Sequence, residues 1–285
     1  MAYEETLLTI GEVSDLTGVN SVTLRAWQRR YGLLKPQRTP KGHRLYTSGD
    51  VSRIRDILNW LDKGVAVSQV KALLETQTGV HEEVEQPDTE YVAVQNALMS
   101  LHATALTKQL LDLTKHYPIR VLEKRIFDPL DDWLLRQKSP AMKPYISLWQ
   151  TALRNTLAYL AFDNAKGKNT RWCWLVGLDE NPGYSIYVKA LKLQLEGYSV
   201  TVLEGVNSGI SGLYVSLIDQ SVEQLVVFSD QALSASCRKE LEEIMGKGML
   251  SMVIAGKCTV IHPELLPAST PKLHGGDHSH KGETQ

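Results

Sequence analysis

The sequence predicts a multidomain fold of the α plus α/β class, made of a winged helix-turn-helix, a four-helix bundle and a flavodoxin-like, doubly wound parallel sheet. Two short capped helices and a basic turn come first, a helical apolar period occupies the middle of the chain, and strands alternate with helices after Trp172. A chain of 285 residues is long enough for more than one domain. The predicted divisions are a helix-turn-helix over 1–75, a linker over 76–90, a bundle over 91–168, a flavodoxin-like domain over 169–262 and a disordered tail over 263–285.

The first predicted helix starts beside a capping box. Thr9 and Glu12 have the spacing at which each side chain accepts a hydrogen bond from the other residue's backbone. Gly18 ends the helix, because glycine accepts the positive φ of a helix C-terminus. Asn20 and Ser21 can then cap a second helix, and two short helices joined by a tight turn are typical of a helix-turn-helix.

A basic segment follows the second helix and has the pattern of a wing. Residues 35–38 lead into a Thr-Pro-Lys-Gly turn, and residues 43–46 return from it. Between Asn20 and Arg55 there are nine basic residues and one acid, whereas the whole chain has a formal net charge of −1. A local positive surface beside a helix-turn-helix indicates DNA binding. A solvated basic face on an ordinary helical domain is the alternative, and the agreement of caps, wing and charge disfavours it.

We expect the second helix to enter the major groove and the wing to contact the flanking backbone or minor groove. The residues expected near base edges or adjacent phosphates are Asn20, Ser21, Thr23 and Arg25. The residues expected on the flank are Arg30, Arg38, Lys41, His43, Arg44 and Tyr46. His43 has two readings, since it can donate to a phosphate or support the wing turn.

Residues 22–39, VTLRAWQRRYGLLKPQRT, and the following GHRLY at 42–46 resemble the MerR family of transcription regulators, most closely its MlrA-like branch. The resemblance implies sequence-specific binding of double-stranded DNA, a homodimer on an inverted repeat, contact with RNA polymerase and, for this branch, control of biofilm and curli genes. It also implies that the position of Trp27 lies close to the DNA backbone. The apolar face on which Trp27 lies favours a core role instead, and both readings stay open.

The linker and the bundle bear on how such a dimer forms. Many MerR-type regulators dimerise through a long coiled-coil helix directly after the DNA-binding domain, but no apolar heptad continues past Leu74 here. The helical period returns from Tyr91 to about Lys166 and predicts four antiparallel helices. Pro129 should kink or interrupt the third of them, because proline lacks the backbone N–H.

The predicted sheet and the bundle together are similar to cobalamin-binding modules. The predicted strands are 172–176, 198–203, 225–228 and 250–255, with a short fifth strand at 259–261. Modules of this kind follow the same type of DNA-binding domain in MerR-related light and cobalamin sensors. They carry Asp-x-His-x-x-Gly after the first strand, where the histidine ligates cobalt, and a Trp with a Glu-His pair on the bundle.

The present chain departs from that pattern at the cobalt ligand. The loop has Asp179 but places Asn181 where the histidine should stand, and a carboxamide is a poor cobalt ligand. Trp149 is present, but no Glu-His pair follows it. We therefore expect a cobalamin-binding-like module without a cofactor. A regulator whose module senses cobalamin or another small molecule and controls oligomerisation is the alternative, and a methyltransferase subunit would need the missing histidine.

The remaining features argue against other classes of protein. The loops lack a GxSxG elbow, a phosphate-binding glycine-rich loop and a His-Asp-Ser set, so we expect no enzymatic activity; Ser229 and Asp230 point weakly to a small-molecule pocket. The three cysteines are dispersed, which favours a reducing cytoplasm over a disulfide framework or a metal site. The acidic N-terminus and the absence of long apolar runs predict neither a signal sequence nor a membrane span. The tail residues His274, Asp277, His278 and His280 are expected to have no defined metal role.

Overall fold

The structure is a computed structural model that describes residues 7–75, 89–164, 171–218 and 220–266. Residues 76–88 of the predicted linker and 267–285 of the predicted tail, with its histidines, lie outside the described residues.

Four helices and a small sheet form the N-terminal unit. Its elements are β1 (Leu8–Thr9), α1 (Ile10–Thr17), α2 (Ser21–Arg29), β2 (Gln37–Arg38), β3 (Arg44–Tyr46), α3 (Ser48–Asp62) and α4 (Val67–Glu75). The sheet is antiparallel in the order β1-β3-β2, so the wing strands β2 and β3 are joined to the strand that leads into α1.

Side-chain caps fix where these helices begin. The backbone N–H of Thr9 donates to Glu12 Oε2 at 2.6 Å, and that of Glu12 donates to Thr9 Oγ1 at 3.4 Å, which confirms the first capping box. Gly18 ends α1 with φ of 67°. A second capping box, between Thr47 and Asp50, starts α3. Each cap satisfies backbone donors that the helix itself leaves unpaired.

A core of apolar side chains holds the four helices together. Val13 of α1, Leu24 and Trp27 of α2 and Ile54 of α3 are all fully buried. Burying one such side chain contributes roughly 1.5–3 kcal/mol. Helices of eight and nine residues, such as α1 and α2, are unstable alone in water, so this packing rather than helix propensity stabilises them.

The middle of the chain forms the predicted bundle. Its helices are α5 (Thr89–Met99), α6 (Ala103–His116), a third helix built from α7 (Ile119–Leu122), a π-helical stretch (Glu123–Phe127) and α8 (Asp128–Arg136), and finally α9 (Lys143–Asn164). The backbone N–H of Asp128 donates to the carbonyl of Glu123, five residues back, in place of the usual four. Pro129 follows directly and has no N–H to continue the α-helical ladder, so the interruption falls where the sequence predicts it.

The C-terminal part is a four-stranded parallel sheet in the order β5-β4-β6-β7. Its elements are β4 (Arg171–Gly177), α10 (Ser185–Leu195), β5 (Tyr198–Leu203), α11 (Ile210–Ile218), β6 (Gln224–Phe228), α12 (Ala235–Lys247), β7 (Ser251–Ala255) and α13 (Cys258–Ile261). With its strands taken in chain order, this is the 2-1-3-4 arrangement of flavodoxin-like folds.

The predicted fifth strand at 259–261 is wrong, because these residues belong to the short helix α13. Gly256 turns the chain after β7 with φ of 93°, and it lies so close to β6 that a Cβ atom there would be 2.2 Å from the carbonyl oxygen of Ser229. The backbone N–H of Cys258 then donates to the Ser229 carbonyl at 3.0 Å, which starts a helix instead of a strand. The folded part also continues past residue 262, since Leu265 is buried against the sheet.

A carboxylate of the bundle joins it to the sheet. Asp131 accepts hydrogen bonds from Trp149 Nε1 and from the Tyr184 hydroxyl, each at 2.6 Å. Trp149 is fully buried, and the pKa of Tyr184 is raised by its burial and by the Asp131 charge. Because Tyr184 directly precedes α10, this network fixes the bundle against the loop after β4.

Candidate nucleic-acid interface

The second helix presents one polar face to solvent. Asn20 caps it, since Asn20 Oδ1 accepts from the backbone N–H of Thr23 at 2.8 Å. Arg25 and Arg29 are exposed, and Ser21 lies one turn before Arg25 on the same face. Val22 and Arg29, which were not among the residues expected from the sequence, are exposed on this face as well, at helical spacing from Arg25. The exposed face can therefore meet DNA bases and phosphates directly.

Three residues expected to contact DNA lie in the core instead. Thr23, Trp27 and Tyr46 are each fully buried, so their side chains support the reading surface without forming part of it. The sequence could not show this for Thr23 and Tyr46, because both residue types are common on surfaces. For Trp27 the core reading is the correct one: its Nε1 donates to the backbone carbonyl of His116 at 2.9 Å.

The wing carries its charges at the tip of a rigid turn. Thr39 closes the turn, because its N–H donates to the His43 carbonyl at 2.9 Å and its Oγ1 accepts from the His43 N–H at 3.0 Å. Gly42 supplies the positive φ, at 82°, that this turn needs. The side chains of Arg38, Lys41 and His43 are exposed, so the tip presents a cationic surface.

One side-chain contact joins the wing to the second helix. Arg44 Nε, on β3, donates to Gln28 Oε1, on α2, at 2.5 Å. Arg53 of α3 donates to the carbonyl of Leu33 at 2.6 Å and so anchors the segment between α2 and the wing. Gln28 was not among the residues expected from the sequence, since nothing in its spacing signals the contact. The wing and α2 are thus held as one surface.

The far end of the second helix contacts the bundle. Arg30 Nη1 lies 2.6 Å from His116 Nε2, and Tyr31 packs edge-on against the same ring at 5.6 Å. A guanidinium only donates, so the His116 Nε2 must accept and the ring is neutral with its proton on Nδ1. Burial lowers the pKa of His116, against an opposing effect from Asp112. Arg30 therefore makes this contact with the bundle, which the sequence could not show across a separation of 86 positions.

A second set of contacts joins the bundle to the start of α4. The Tyr117 hydroxyl accepts from the backbone N–H of Val67 at 3.1 Å and donates to Glu90 Oε1 at 2.6 Å. Arg125 donates to the carbonyl of Val65 at 3.0 Å. Burial raises the pKa of Tyr117, with the Glu90 contact acting in the same direction, so the hydroxyl keeps its proton. Residues of the bundle therefore contact the N-terminal unit both at the end of α2 and at the start of α4.

The loop after β4 does not fit a cobalt site. Both oxygens of the buried Asp179 are engaged: Oδ1 accepts from Ser229 Oγ at 2.5 Å, and Oδ2 accepts from the backbone N–H of Asp230 at 2.9 Å. Asn181 is exposed beyond it, and Trp149 is held inside the bundle by Asp131. The contacts of Asp179 join the loops after β4 and β6 across the crevice where the order of the strands reverses and ligands of such sheets usually bind.

A separate polar cleft of about 430 Å³ lies between α9 and the loops after β4 and β5. Arg154 of α9 forms an ion pair with Glu204 across it. Within the described part of the chain, the other oxygen of Glu204 is buried without a hydrogen-bond partner. Gln150, Asn155 and Asn181 add amide groups to the lining, so the cleft suits a polar molecule better than an apolar one.

The described residues also bear on the requirements of a metal site and of a membrane-spanning helix. Over residues 7–75, 89–164, 171–218 and 220–266, no group of three or more His, Cys, Asp or Glu side chains is arranged to hold a metal ion. No helix in that part of the chain combines the length and the apolar character that crossing a membrane requires.

The comparisons with known proteins agree with the geometry of the N-terminal unit. Residues 8–77 match the family model of the MerR HTH family regulatory proteins. The chain is 36% identical over 200 residues to the HTH-type transcriptional regulator MlrA of Salmonella typhimurium, which covers 69% of this chain and 79% of the relative. MlrA of Escherichia coli is 36% identical over 202 residues, with the same shares. The HTH-type transcriptional repressor CarH of Myxococcus xanthus is 36% identical over 126 residues, 44% of this chain and 39% of CarH.

Proposed function

The chain belongs to the MerR family of DNA-binding transcription regulators, and we propose that it reads an inverted repeat in double-stranded DNA as a homodimer. The observation that carries the proposal is the position of the cationic groups. Arg25 and Arg29 on α2 and Arg38 and Lys41 on the wing are all exposed, on elements that the Gln28–Arg44 contact holds together. A surface of this kind neutralises phosphates on both sides of one groove.

The dimensions of α2 fit the major groove. An α-helix with its side chains is about 10–12 Å across, which fits the groove width of about 12 Å, and the nine residues of α2 make it about 13 Å long. We place Ser21, Val22 and Arg25 at base edges, and the wing tip with Arg38, Lys41 and His43 on the flanking backbone or minor groove. Asn20 contributes through its cap, which fixes the N-terminus of α2 and directs the positive end of the helix dipole toward phosphate.

A dimer follows from the small size of this reading surface. One short helix contacts too few base pairs to be selective, whereas two copies related by a twofold axis read two half-sites about one helical turn or more apart. On the C-terminal side of the linker, Val94 and Leu98 of α5 are buried within the bundle, so the apolar face of this helix is not available for a coiled coil. We infer that the twofold contact lies outside α5.

The direct test is selection of bound sequences from genomic DNA with the full chain, followed by footprinting and titration of the selected operator. Arg25→Ala should weaken operator binding by about 1–3 kcal/mol, because a good base or phosphate contact contributes that much. Arg136→Ala is the matched control, since Arg136 is exposed on α8 in the bundle, and it should change the affinity by less than about 0.5 kcal/mol. Equal effects of the two changes, or no preference for any sequence, would contradict the proposal.

We propose further that the protein acts by binding alone, as a regulator and not as an enzyme, in the cytoplasm and in contact with RNA polymerase. The dispersed free cysteines Cys173, Cys237 and Cys258 suit a reducing compartment. Biofilm and curli genes are the regulated set that the resemblance to the MlrA-like branch implies, and we include them in the proposal. Transcript levels in a strain lacking the gene test this directly: curli transcripts that do not change would remove these genes from the proposal.

A regulator that senses a small molecule is the second candidate, and the polar cleft with its Arg154–Glu204 pair favours it. Cobalamin is not the expected ligand, because Asn181 replaces the histidine and Asp179 is engaged by Ser229. We expect the purified protein to leave the absorbance spectra of added adenosylcobalamin and methylcobalamin unchanged, and its operator affinity to be the same in light and dark. Stoichiometric binding with a micromolar or tighter dissociation constant would restore the cobalamin sensor.

A further inference from the structure

One of the two edge strands of the parallel sheet, β7, lacks the features that usually protect a sheet edge. β7 pairs with β6 on one side, and no described strand pairs with its other side. Edge strands are commonly protected by a charged side chain, a proline or a bulge. The five residues of β7, Ser-Met-Val-Ile-Ala, contain no charge, no proline and no glycine. Such an edge is a template for pairing with another strand.

The backbone groups at this edge can be identified from the pairing with β6. The carbonyl of Ala255 accepts from the N–H of Ser229, so Ala255 directs its backbone groups toward β6. In a parallel strand the direction alternates from residue to residue. Met252 and Ile254 therefore present their N–H and C=O groups outward, at the open edge. Val253 lies between them, beside Val226 of β6, and its side chain is 40% exposed.

The chain leaves this edge open where the fold would ordinarily continue. A fifth strand beside β7 is what the sequence predicts, but Gly256 and the Cys258–Ser229 contact turn those residues into α13. Further apolar side chains are exposed at both ends of β7, with Met249 before it and Val260 and Ile261 after it. Single exposed apolar residues are ordinary, but here they flank an edge strand that has no charge or proline to protect it, which favours an interaction surface.

We infer that β7 pairs antiparallel with β7 of a second copy of this chain and forms one continuous sheet across the dimer. Val253 then faces Val253 of the partner subunit at the twofold axis, as a non-hydrogen-bonded pair with Cα atoms about 4.5 Å apart. On either side of that axis, Met252 of one copy faces Ile254 of the other. Each of these pairs exchanges both of its backbone hydrogen bonds, since these residues present their groups outward.

A second copy fits this edge better than a different partner because of symmetry. Antiparallel pairing of a strand with itself produces a twofold axis, and a twofold axis is what an inverted repeat requires of the protein bound to it. The strand also offers a dimer contact that does not depend on α5, whose residues Val94 and Leu98 are buried within the bundle. The inference rests on the dimer proposed above, but not on DNA binding itself, which depends on α2 and the wing.

The first test changes Val253 and measures the mass of the full chain in solution. We expect a wild-type mass of twice 31.9 kDa by light scattering and sedimentation equilibrium. Val253→Glu should raise the dimer dissociation constant by about tenfold or more, because two carboxylates would face each other at the twofold axis. Val215→Glu is the matched control: Val215 is 59% exposed on α11, outside this strand, and its replacement should leave the dimer intact.

A second test looks for the predicted contact directly. Oxidation of Val253→Cys with oxidised glutathione should link two copies through residue 253, because Cα atoms about 4.5 Å apart suit a disulfide. The Val215→Cys variant measures any background from the native cysteines and should stay unlinked. Circular dichroism and thermal unfolding of each variant show whether the fold is retained.

The outcomes separate this inference from the proposed function. A dimer that survives Val253→Glu, or the absence of a residue-253 link, would overturn the inference while operator binding stays intact. A wild-type monomer that dimerises only after truncation beyond Leu266 would also overturn it, since the C-terminal segment would then occupy the edge. Loss of operator binding in a dimer that still links at residue 253 would instead count against the DNA-reading surface.

Discussion

Replacing Trp27 with phenylalanine separates the two roles that the sequence leaves open for this residue. The change removes the indole N–H that donates to the carbonyl of His116 and leaves that buried acceptor unpaired. Such a loss costs about 1–3 kcal/mol. The smaller ring leaves a cavity that adds on the order of 1 kcal/mol, because Trp27 is fully buried. The free energy of unfolding should therefore fall by about 2–4 kcal/mol.

The assay is urea-induced unfolding of the full chain, followed by circular dichroism, together with titration of the operator at a temperature where the variant is folded. Trp172→Phe is the matched control, since Trp172 is 53% exposed on β4, and it should change stability by less than about 0.5 kcal/mol. Operator affinity of folded Trp27→Phe should stay within a similar margin. Unchanged stability combined with lost affinity would show that the indole contacts DNA, and the core assignment would be refuted.

Three further predictions follow from the same contacts. The logarithm of the operator affinity should fall linearly with the logarithm of salt concentration. Lys41→Ala should make that slope shallower by about one unit while Arg136→Ala leaves it unchanged, and equal slopes would remove Lys41 from the interface. In the folded protein the pKa of His116 lies below its ordinary 6.5. The stabilisation that neutral His116 adds to the free energy of unfolding is therefore fully present above pH 6.5 and is lost as the pH falls toward the lower folded pKa. His116→Gln should therefore flatten the stability profile as the pH falls below 6.5, and a profile identical to the wild type would contradict the neutral state assigned to this ring. Asn20→Ala should lower the free energy of unfolding by about 0.5–2 kcal/mol, because the cap of α2 is lost. Asn59→Ala, on the exposed side of α3, is the control. Equal effects of the two changes would show that the cap is dispensable.

Local chemistry made the N-terminal elements predictable. The Thr9–Glu12 box and Gly18 fix α1 through contacts within a few residues, and Asn20 fixes α2 in the same way, so the sequence contains the whole signal. The residues of α13 were not predictable by this means. Thr259 and its neighbours have apolar and β-branched character, but their helix depends on the close approach of Gly256 to Ser229, a contact between distant parts of the chain.

The residues of the candidate site also differ in whether the local sequence predicts their role. Exposed charges such as Arg25, Arg38 and Lys41 were predictable, because charge and helical spacing are readable from a single stretch. The burial of Tyr46 and the use of Arg30 in a contact with His116 were not, because both depend on what packs against the N-terminal unit. Periodicity identifies the apolar face of a helix, but it does not tell which element covers that face.

Because residues of the bundle contact the N-terminal unit, the N-terminal unit cannot be joined to an unrelated domain without losing these contacts. A chimaera that transplants residues 7–75 onto an unrelated effector would leave the Trp27 indole and the Val67 N–H without their acceptors on His116 and Tyr117. A graft that carries the bundle along keeps those acceptors in place, together with Arg125, which donates to the Val65 carbonyl. The natural boundary for recombination in this chain therefore lies after the bundle, well beyond the linker where the change in composition suggests a cut.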